Sequence, residues 1–253
     1  MDTVRNHLSY SQIQAYLACP LKHRLYSIEK VETQFNPVSL VFGTGLHKAV
    51  ASYYIAHRDG GRLPEAEMVR QFHDHWKDEE AKKEIRYNGD GRDDVLTMAE
   101  RLIAVFYEKA VPMQVLAVEQ FFSVPLFDDV DLYGVCDLIE ADEHGTPVLV
   151  DLKSAAKRKS PFELSTDLQM TAYSLGLDSM GLERDVLFRF DVLLKQKAPD
   201  LVKQYTVRSD YDRQRFIRLA REVWTAIEAG ICYPNPSYYC QGCQYKELYC
   251  DRW

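Results

Sequence analysis

Two short apolar segments, each with an acidic residue near its centre, constrain this chain more than any other feature. The sequence around Asp137 is Gly-Val-Cys-Asp-Leu-Ile, and the sequence around Asp151 is Val-Leu-Val-Asp-Leu-Lys, which ends at Lys153. Side chains alternate between the two faces of a strand, so Asp151 and Lys153 are expected on one side and Leu152 in the core. Carboxylate oxygens are the ligands that Mg²⁺ or Mn²⁺ prefers, and such a cation can activate water. The pattern predicts neighbouring strands that carry a metal-dependent phosphodiesterase site.

The order of hydrophobic patterns predicts an α/β fold. Three- and four-residue steps predict helices, whereas short β-branched and aromatic runs bounded by turn residues predict strands. The expected helices cover 9–29, with a break at Pro20, a segment beginning near Thr44, 64–81, 93–110, 167–177 and 209–229. The expected strands cover 116–126, 130–140, 146–152, 185–195 and 201–208. A mixed central sheet of about five strands, flanked by helices, accounts for this order.

Composition excludes several classes of protein. With 253 residues, of which 46% are hydrophobic, the chain can bury a full core, and no apolar run approaches the roughly 20 residues of a membrane span. A cytoplasmic location is the expectation. The net charge of −7 argues against a uniformly basic surface that coats nucleic acid. Basic residues are nevertheless dense at Lys157–Arg158–Lys159, so a local patch can still bind phosphates.

Four motifs in a fixed order carry a family resemblance. They are a histidine on an early helix, a G-x-x-D strand, a D-x-K strand and a Q-x3-Y helix: His47, Asp137, Asp151 with Lys153, and Gln169 with Tyr173. Together they resemble the PD-(D/E)xK nuclease superfamily, in particular its RecB- and AddB-like branch, which includes CRISPR-adaptation and phage exonucleases. The resemblance implies a restriction-endonuclease-like core at 115–230, an N-terminal helical region at 1–114 and a cysteine-rich segment at 231–253 that packs on the N-terminus.

The resemblance also implies roles for these residues. His47, Asp137, Asp151 and the backbone carbonyl of Leu152 would hold Mg²⁺ or Mn²⁺, and Lys153 would orient or deprotonate the attacking water. Gln169 and Tyr173 would reach the DNA backbone or that water, and Glu119 is a candidate for the edge of the site. Simpler alternatives stay open: a surface histidine, an exposed Asp151–Lys153 ion pair, a packing role for Tyr173 and an exposed strand glutamate.

Four of the six cysteines lie within the last 22 residues, in a spacing that suggests a metal centre. Cys19, Cys240, Cys243 and Cys250 resemble the four-cysteine iron–sulfur set of the same branch, which implies a [4Fe–4S] cluster joining the two ends of the chain. Zinc is the alternative, because Cys232, Cys240, Cys243 and Cys250 form a purely local set. That alternative leaves Cys19 without a role.

The resemblance implies a DNA nuclease, and most simply an exonuclease that acts on single-stranded or end-containing DNA in repair, recombination or phage DNA processing. An end-trimming CRISPR-adaptation nuclease with a partner integrase is one alternative, and a non-catalytic iron–sulfur DNA-binding subunit is another. The chain contains no Walker A pattern G-x4-G-K-[ST]. Any helicase or recombinase would therefore be a separate partner.

Overall fold

The computed structural model describes residues 6–87, 89, 91–182 and 185–252, so residues 1–5 and 253 of the predicted terminal regions lie outside the described residues. The strands are β1 (Asn6–Ser9), β2 (Phe35–Pro37), β3 (Glu84–Arg86), β4 (Gln114–Phe127), β5 (Val130–Ala141), β6 (Pro147–Ala155), β7 (Leu187–Leu194) and β8 (Asp200–Thr206). The α-helices are α1 (Tyr10–Ala18), α2 (Pro20–His23), α3 (Val38–Arg58), α4 (Glu65–Lys82), α5 (Arg92–Lys109), α6 (Pro161–Ser165), α7 (Leu168–Leu175) and α8 (Asp210–Glu228).

A six-stranded mixed sheet forms the centre of the described fold. Its strand order is β1-β5-β6-β7-β8, and β4 pairs with the other edge of β5. The β4–β5, β5–β6 and β7–β8 pairs are antiparallel, whereas β1–β5 and β6–β7 are parallel. The parallel β6–β7 connection contains α6 and α7, which is the usual way to join parallel neighbours. The expectation of an α/β fold with a mixed, helix-flanked sheet is confirmed.

Helices cover both faces of the sheet. One apolar core joins the sheet to α1, α7 and α8, and a second joins it to α3, α4 and α5. Gly45 allows α3 to approach α4 closely, because a Cβ at this position would lie only 2.8 Å from Cδ2 of the buried Phe72. The two cores fix the sheet from both sides and leave the strand ends open for function. None of the described helices is both long enough and apolar enough to cross a bilayer.

Several element boundaries differ from the sequence prediction. The helix expected to begin near Thr44 begins at Val38, directly after Pro37, so Gly43 and Gly45 lie inside it. The helix expected over 9–29 is interrupted at Cys19, whose extended backbone separates α1 from α2, and it ends in a π-helical turn at Arg24–Ile28. The short strands β1, β2 and β3 were not predicted, because three or four residues carry too little periodicity to be recognised.

Candidate active site

Asp137 and Asp151 lie where two neighbouring strands separate. The β5–β6 ladder runs from Ala141↔Pro147 to Leu138↔Val150, so Asp137, just before Leu138, and Asp151, just after Val150, lie immediately beyond its end. Beyond this point β6 stays paired with β7, whereas β5 pairs with β1 over Val130–Tyr133. The divergence opens a gap in the sheet between the two carboxylates.

Asp137 is held by groups from two different elements. The backbone N–H of Leu152 donates to Oδ2 of Asp137 at 2.9 Å, and Nδ1 of His47, on α3, lies 3.4 Å from the same oxygen. These three residues and Glu119 share the lining of a cavity of about 20 Å³. That volume is close to one water-sized sphere. The structure therefore places His47 and Asp137 next to each other, and their role as metal ligands stays a prediction.

Asp151 is fully buried, and the other predicted residues surround it. Nζ of Lys153 lies 2.7 Å from Oδ2 of Asp151. The Tyr173 hydroxyl donates to Oδ1 at 3.3 Å, and Nε2 of Gln169 donates to that hydroxyl at 2.8 Å. Gln169 and Tyr173 thus reach Asp151 rather than the exterior, and Tyr173 is itself buried. Their spacing of four residues places both on one face of α7.

The charged side chains of the site shift one another's pKa values. The pKa of Asp151 is raised to about 7, because burial and the neighbouring Asp137 raise it more than Lys153 lowers it. Burial alone would lower the pKa of Lys153, but Asp151 and Asp137 outweigh it, and the net shift is upward. Lys153 is therefore a stable cation in this arrangement. Two carboxylates beside one ammonium leave negative charge that a further cation would offset.

Glu119 adopts a backbone conformation that is unusual for its residue type. Its φ is +51°, in the left-handed region, although it lies within β4 between residues paired with Leu138 and Cys136. It therefore sits across the ladder from Asp137. Left-handed backbone in a non-glycine residue costs about 1–3 kcal/mol and concentrates at functional sites. The strained backbone is consistent with a functional position for Glu119 at the edge of the site, and that role stays a prediction.

A buried charged network under the site was not predicted. Arg189 donates to Asp191 at 2.6 and 2.8 Å and to Glu140 at 2.8 Å, and all three residues are buried. Asp191 also lines the small cavity beside Asp137. The only sequence signal was the alternation of charged and aromatic residues in Phe188–Asp191, which equally describes a strand with one exposed face.

The predicted cysteine set lines one cavity. Cys19, Cys240, Cys243 and Cys250 surround a volume of about 320 Å³, whereas Cys232 lines a separate cavity next to Tyr16. The pKa of Cys250 is raised by burial and then by the nearby thiols of Cys240, Cys19 and Cys243. Backbone N–H groups point at two of these sulfurs: Asn235 N lies 3.5 Å from Cys19 Sγ, and Ser237 N lies 3.3 Å from Cys240 Sγ.

Neither site contains a group of ligands already drawn together to metal-binding distances. Within 6–87, 89, 91–182 and 185–252, no three His, Cys, Asp or Glu side chains converge closely enough to hold one metal ion. The donor types nevertheless fit. Carboxylates and an imidazole surround the gap between β5 and β6, and four soft thiols surround a cavity much larger than one ion.

Comparison with known proteins identifies the family. A family model described as the PD-(D/E)XK nuclease superfamily matches residues 7–250, which is nearly the whole chain. The chain belongs to the PD-(D/E)XK nuclease superfamily. Members of this superfamily usually use Mg²⁺ or Mn²⁺. The conclusion that follows is a nuclease fold with acidic residues and a lysine at its centre.

One solved structure agrees with this fold. The crystal structure of a protein from Eubacterium rectale, whose name assigns it only provisionally as an exonuclease, has a TM-score of 0.57 and 15% identity. The match covers 95% of this chain and 88% of that protein. The structure of SSO0001 matches with a TM-score of 0.33 and 12% identity over 90% of this chain and 92% of that one, and no argument rests on it. A search of curated proteins found no significant match.

Proposed function

We propose that this PD-(D/E)XK protein hydrolyses DNA, and that it does so as an exonuclease on single-stranded or end-containing DNA. One observation carries the proposal: Asp137, Asp151 and Lys153 meet at the point where β5 and β6 separate. A non-catalytic DNA-binding subunit has no chemical need for a buried carboxylate beside a lysine at this place. The costly burial of Asp151 therefore favours an enzyme.

Each residue of the site has a role that its geometry supports. Lys153, held as a cation, stabilises negative charge that develops on the phosphate, and it orients the attacking water rather than taking its proton. Tyr173 fixes the orientation of the Asp151 carboxylate, and Gln169 fixes the orientation of Tyr173. The N–H of Leu152 and the ring of His47 do the same for Asp137.

Asp137, Asp151, His47 and the backbone carbonyl of Leu152 would hold Mg²⁺ or Mn²⁺, with Glu119 at the edge of the site. These are hard oxygen donors and one imidazole, which suit either ion. When bound, the ion would lower the pKa of a coordinated water and offset charge on the phosphate. The raised pKa of Asp151 fits such a role, because a cation replaces the proton that burial favours.

Cleavage of end-labelled DNA tests the proposal. We expect the wild type to cut single-stranded DNA with Mn²⁺ or Mg²⁺ and not with EDTA, and we expect Asp151→Ala to lose cutting. Asp178→Asn changes an exposed acidic residue that belongs to none of the four motifs, so it is the matched control and should cut normally. Labels on the 5′ and 3′ ends, each alone, report polarity. Cutting by Asp151→Ala at the wild-type rate would refute the assignment.

For the cysteine cavity we propose a [4Fe–4S] cluster bound by Cys19, Cys240, Cys243 and Cys250. A single zinc ion holds its thiolates at about 2.3 Å, which would require the four sulfurs to collapse around one point. A cavity of about 320 Å³ suits a larger, multi-atom centre better. A reducing compartment such as the cytoplasm would keep these thiols available for ligation. When bound, the cluster would crosslink the two ends of the chain.

Two serine variants distinguish the cluster from zinc. Cys19→Ser should lose the visible absorbance and iron of anaerobically purified protein, whereas Cys232→Ser should keep both. The zinc alternative makes the opposite prediction, because its ligand set contains Cys232 and omits Cys19. Zinc in place of iron in the purified wild type, retained in Cys19→Ser, would overturn the iron–sulfur proposal.

The biological setting we favour is DNA repair, recombination or phage DNA processing, with any helicase, recombinase or integrase supplied as a separate partner.

A further inference from the structure

The segment that leaves the strand of Asp151 and Lys153 is short and basic. Strand β6 ends at Ala155, and Lys157, Arg158 and Lys159 follow before α6 begins at Pro161. We call residues 156–162 the basic loop. In a chain with a net charge of −7, three consecutive cations next to the candidate active site form a local exception. None of the roles proposed for the hydrolytic residues explains these three cations.

The basic loop is held in place rather than left loose. The side chain of Gln204, on β8, accepts from the backbone N–H of Lys159 at 2.9 Å and donates to its carbonyl at 2.8 Å. Arg208 then donates to the carbonyls of Leu164, at 2.8 Å, and Asp167, at 3.1 Å. Backbone groups on both sides of α6 are thus fixed by side chains from another strand and its extension. Such preorganisation reduces the entropy lost when the loop binds a partner.

The three cations of the basic loop differ in orientation. Lys159 turns inward, with its Nζ 3.0 Å from Asp167 and 4.6 Å from the centre of the Phe190 ring. Lys157 and Arg158 are exposed, and neither forms an ion pair with any residue in the described part of the chain. The pKa of Glu163 is lowered mainly by two hydrogen bonds from Ser160. The charge of Lys157 contributes a smaller part of this shift. The loop lines a groove of about 600 Å³.

An exposed aromatic ring completes this surface. Phe162, the second residue of α6, is 75% exposed, and it lies three residues after Lys159. A large apolar side chain in water gains nothing from its position in the isolated protein. Cations beside an exposed ring are the combination with which proteins bind single-stranded nucleic acid: phosphates pair with the cations, and an unpaired base stacks on the ring.

We infer that the basic loop binds the single-stranded part of a DNA substrate next to the scissile phosphate, with Lys157 and Arg158 on phosphates and Phe162 under an unpaired base. The inference rests on the proposed function and specifies its substrate. Lys157 follows Asp151 by six residues, so their Cα atoms are at most about 20 Å apart. That reach covers only the nucleotides nearest to the cut. A duplex would not offer an unstacked base to Phe162.

The affinity for a fluorescent single-stranded oligonucleotide, measured without divalent cations, tests the inference separately from cleavage. The loss of two phosphate contacts in Lys157→Ala/Arg158→Ala should reduce the slope of log affinity against log salt by about 1.4, which at 0.1 M salt weakens binding about 25-fold. Phe162→Ala should weaken single-strand binding about tenfold and leave duplex binding unchanged, and Phe162→Tyr should restore it.

The matched control is Arg215→Ala/Arg218→Ala, which removes the same charge from the exposed side of α8. Equal losses in the two double variants would show that only total charge matters and would overturn the inference. Undiminished binding by the loop variants, or a wild type that binds no single-stranded DNA, would also overturn it. If the wild type cleaves DNA but the loop variants bind it normally, the inference about the loop fails and the nuclease proposal stands. If the loop variants lose binding but the wild type cleaves no DNA, the nuclease proposal fails and the inference about the loop stands.

Discussion

The burial of Asp151 makes a specific prediction about stability. In the folded, metal-free protein its pKa is raised from 3.8 to about 7, so the folded state favours the protonated carboxyl more strongly than the unfolded state does. The cost of ionising it is absent below about pH 4, grows as the pH rises and is complete above about pH 7. Asparagine resembles the protonated form at every pH. Asp151→Asn should therefore stabilise the metal-free protein increasingly as the pH rises.

The size of the effect follows from the shift. Three units of pKa, at 1.36 kcal/mol each, give a gain in the free energy of unfolding of up to about 4 kcal/mol at pH 8 and about 1.5 kcal/mol at pH 5. The shift already includes the attraction of Lys153, so the loss of this ion pair in the variant is counted in these figures. Urea denaturation of both proteins between pH 5 and pH 8, without divalent cations, measures the difference.

Two additions make the measurement decisive. Mn²⁺ should raise the stability of the wild type and have little effect on Asp151→Asn, because a ligand that binds only the folded state stabilises it. Asp178→Asn, at an exposed position, should show no such trend with pH. A difference between wild type and Asp151→Asn that stays flat across this range, or a variant that is less stable at pH 8, would refute the reasoning.

Two further predictions concern packing and the buried charges. Gly45→Ala should lower the free energy of unfolding by about 1–2 kcal/mol because its Cβ would collide with Phe72, whereas Gly43→Ala, with no atom within 4 Å of the added Cβ, should raise it by about 0.5–1 kcal/mol. Thermal or urea unfolding of both variants checks this, and an equal response at the two positions would contradict the packing argument. Arg189→Met should lower the free energy of unfolding by about 3–5 kcal/mol, because it leaves two buried carboxylates without their cation. A variant as stable as the wild type in the same unfolding assay would contradict this.

The central strands were predictable because their patterns are local. The three strands around Asp137 and Asp151 occur where β-branched and aromatic runs alternate with turn residues, and the D-x-K spacing correctly placed Lys153 beside Asp151. The start of α3 was not predictable by the same reasoning. The sequence predicts a helix start near Thr44, but Gly43 and Gly45 lie inside α3, where Gly45 leaves room for Phe72 of α4, a contact that no local pattern encodes.

Other features depend on partners that are distant in sequence. No local pattern marks Arg189 as buried, and only the fold shows that it pairs with Glu140 and Asp191 inside the protein. Residues Asn6–Ser9 form strand β1 because they pair with β5, which lies more than a hundred residues later in the chain. The direction of Tyr173, toward Asp151 rather than solvent, likewise follows from how α7 packs on the sheet. Each of these depends on tertiary contacts that override local preference.

The cysteine cavity has a consequence for how the protein is made. Cys240 follows Cys19 by 221 residues, so Cys19 is synthesised well before it. At about 5–20 residues per second, Cys19 waits roughly 10–45 s before the last cysteines are synthesised. During translation the N-terminal thiol is therefore exposed to oxidants and to stray metals, without its partners. Oxidation of Cys19 in that interval would remove one thiol from the lining of the cavity before the cavity can close.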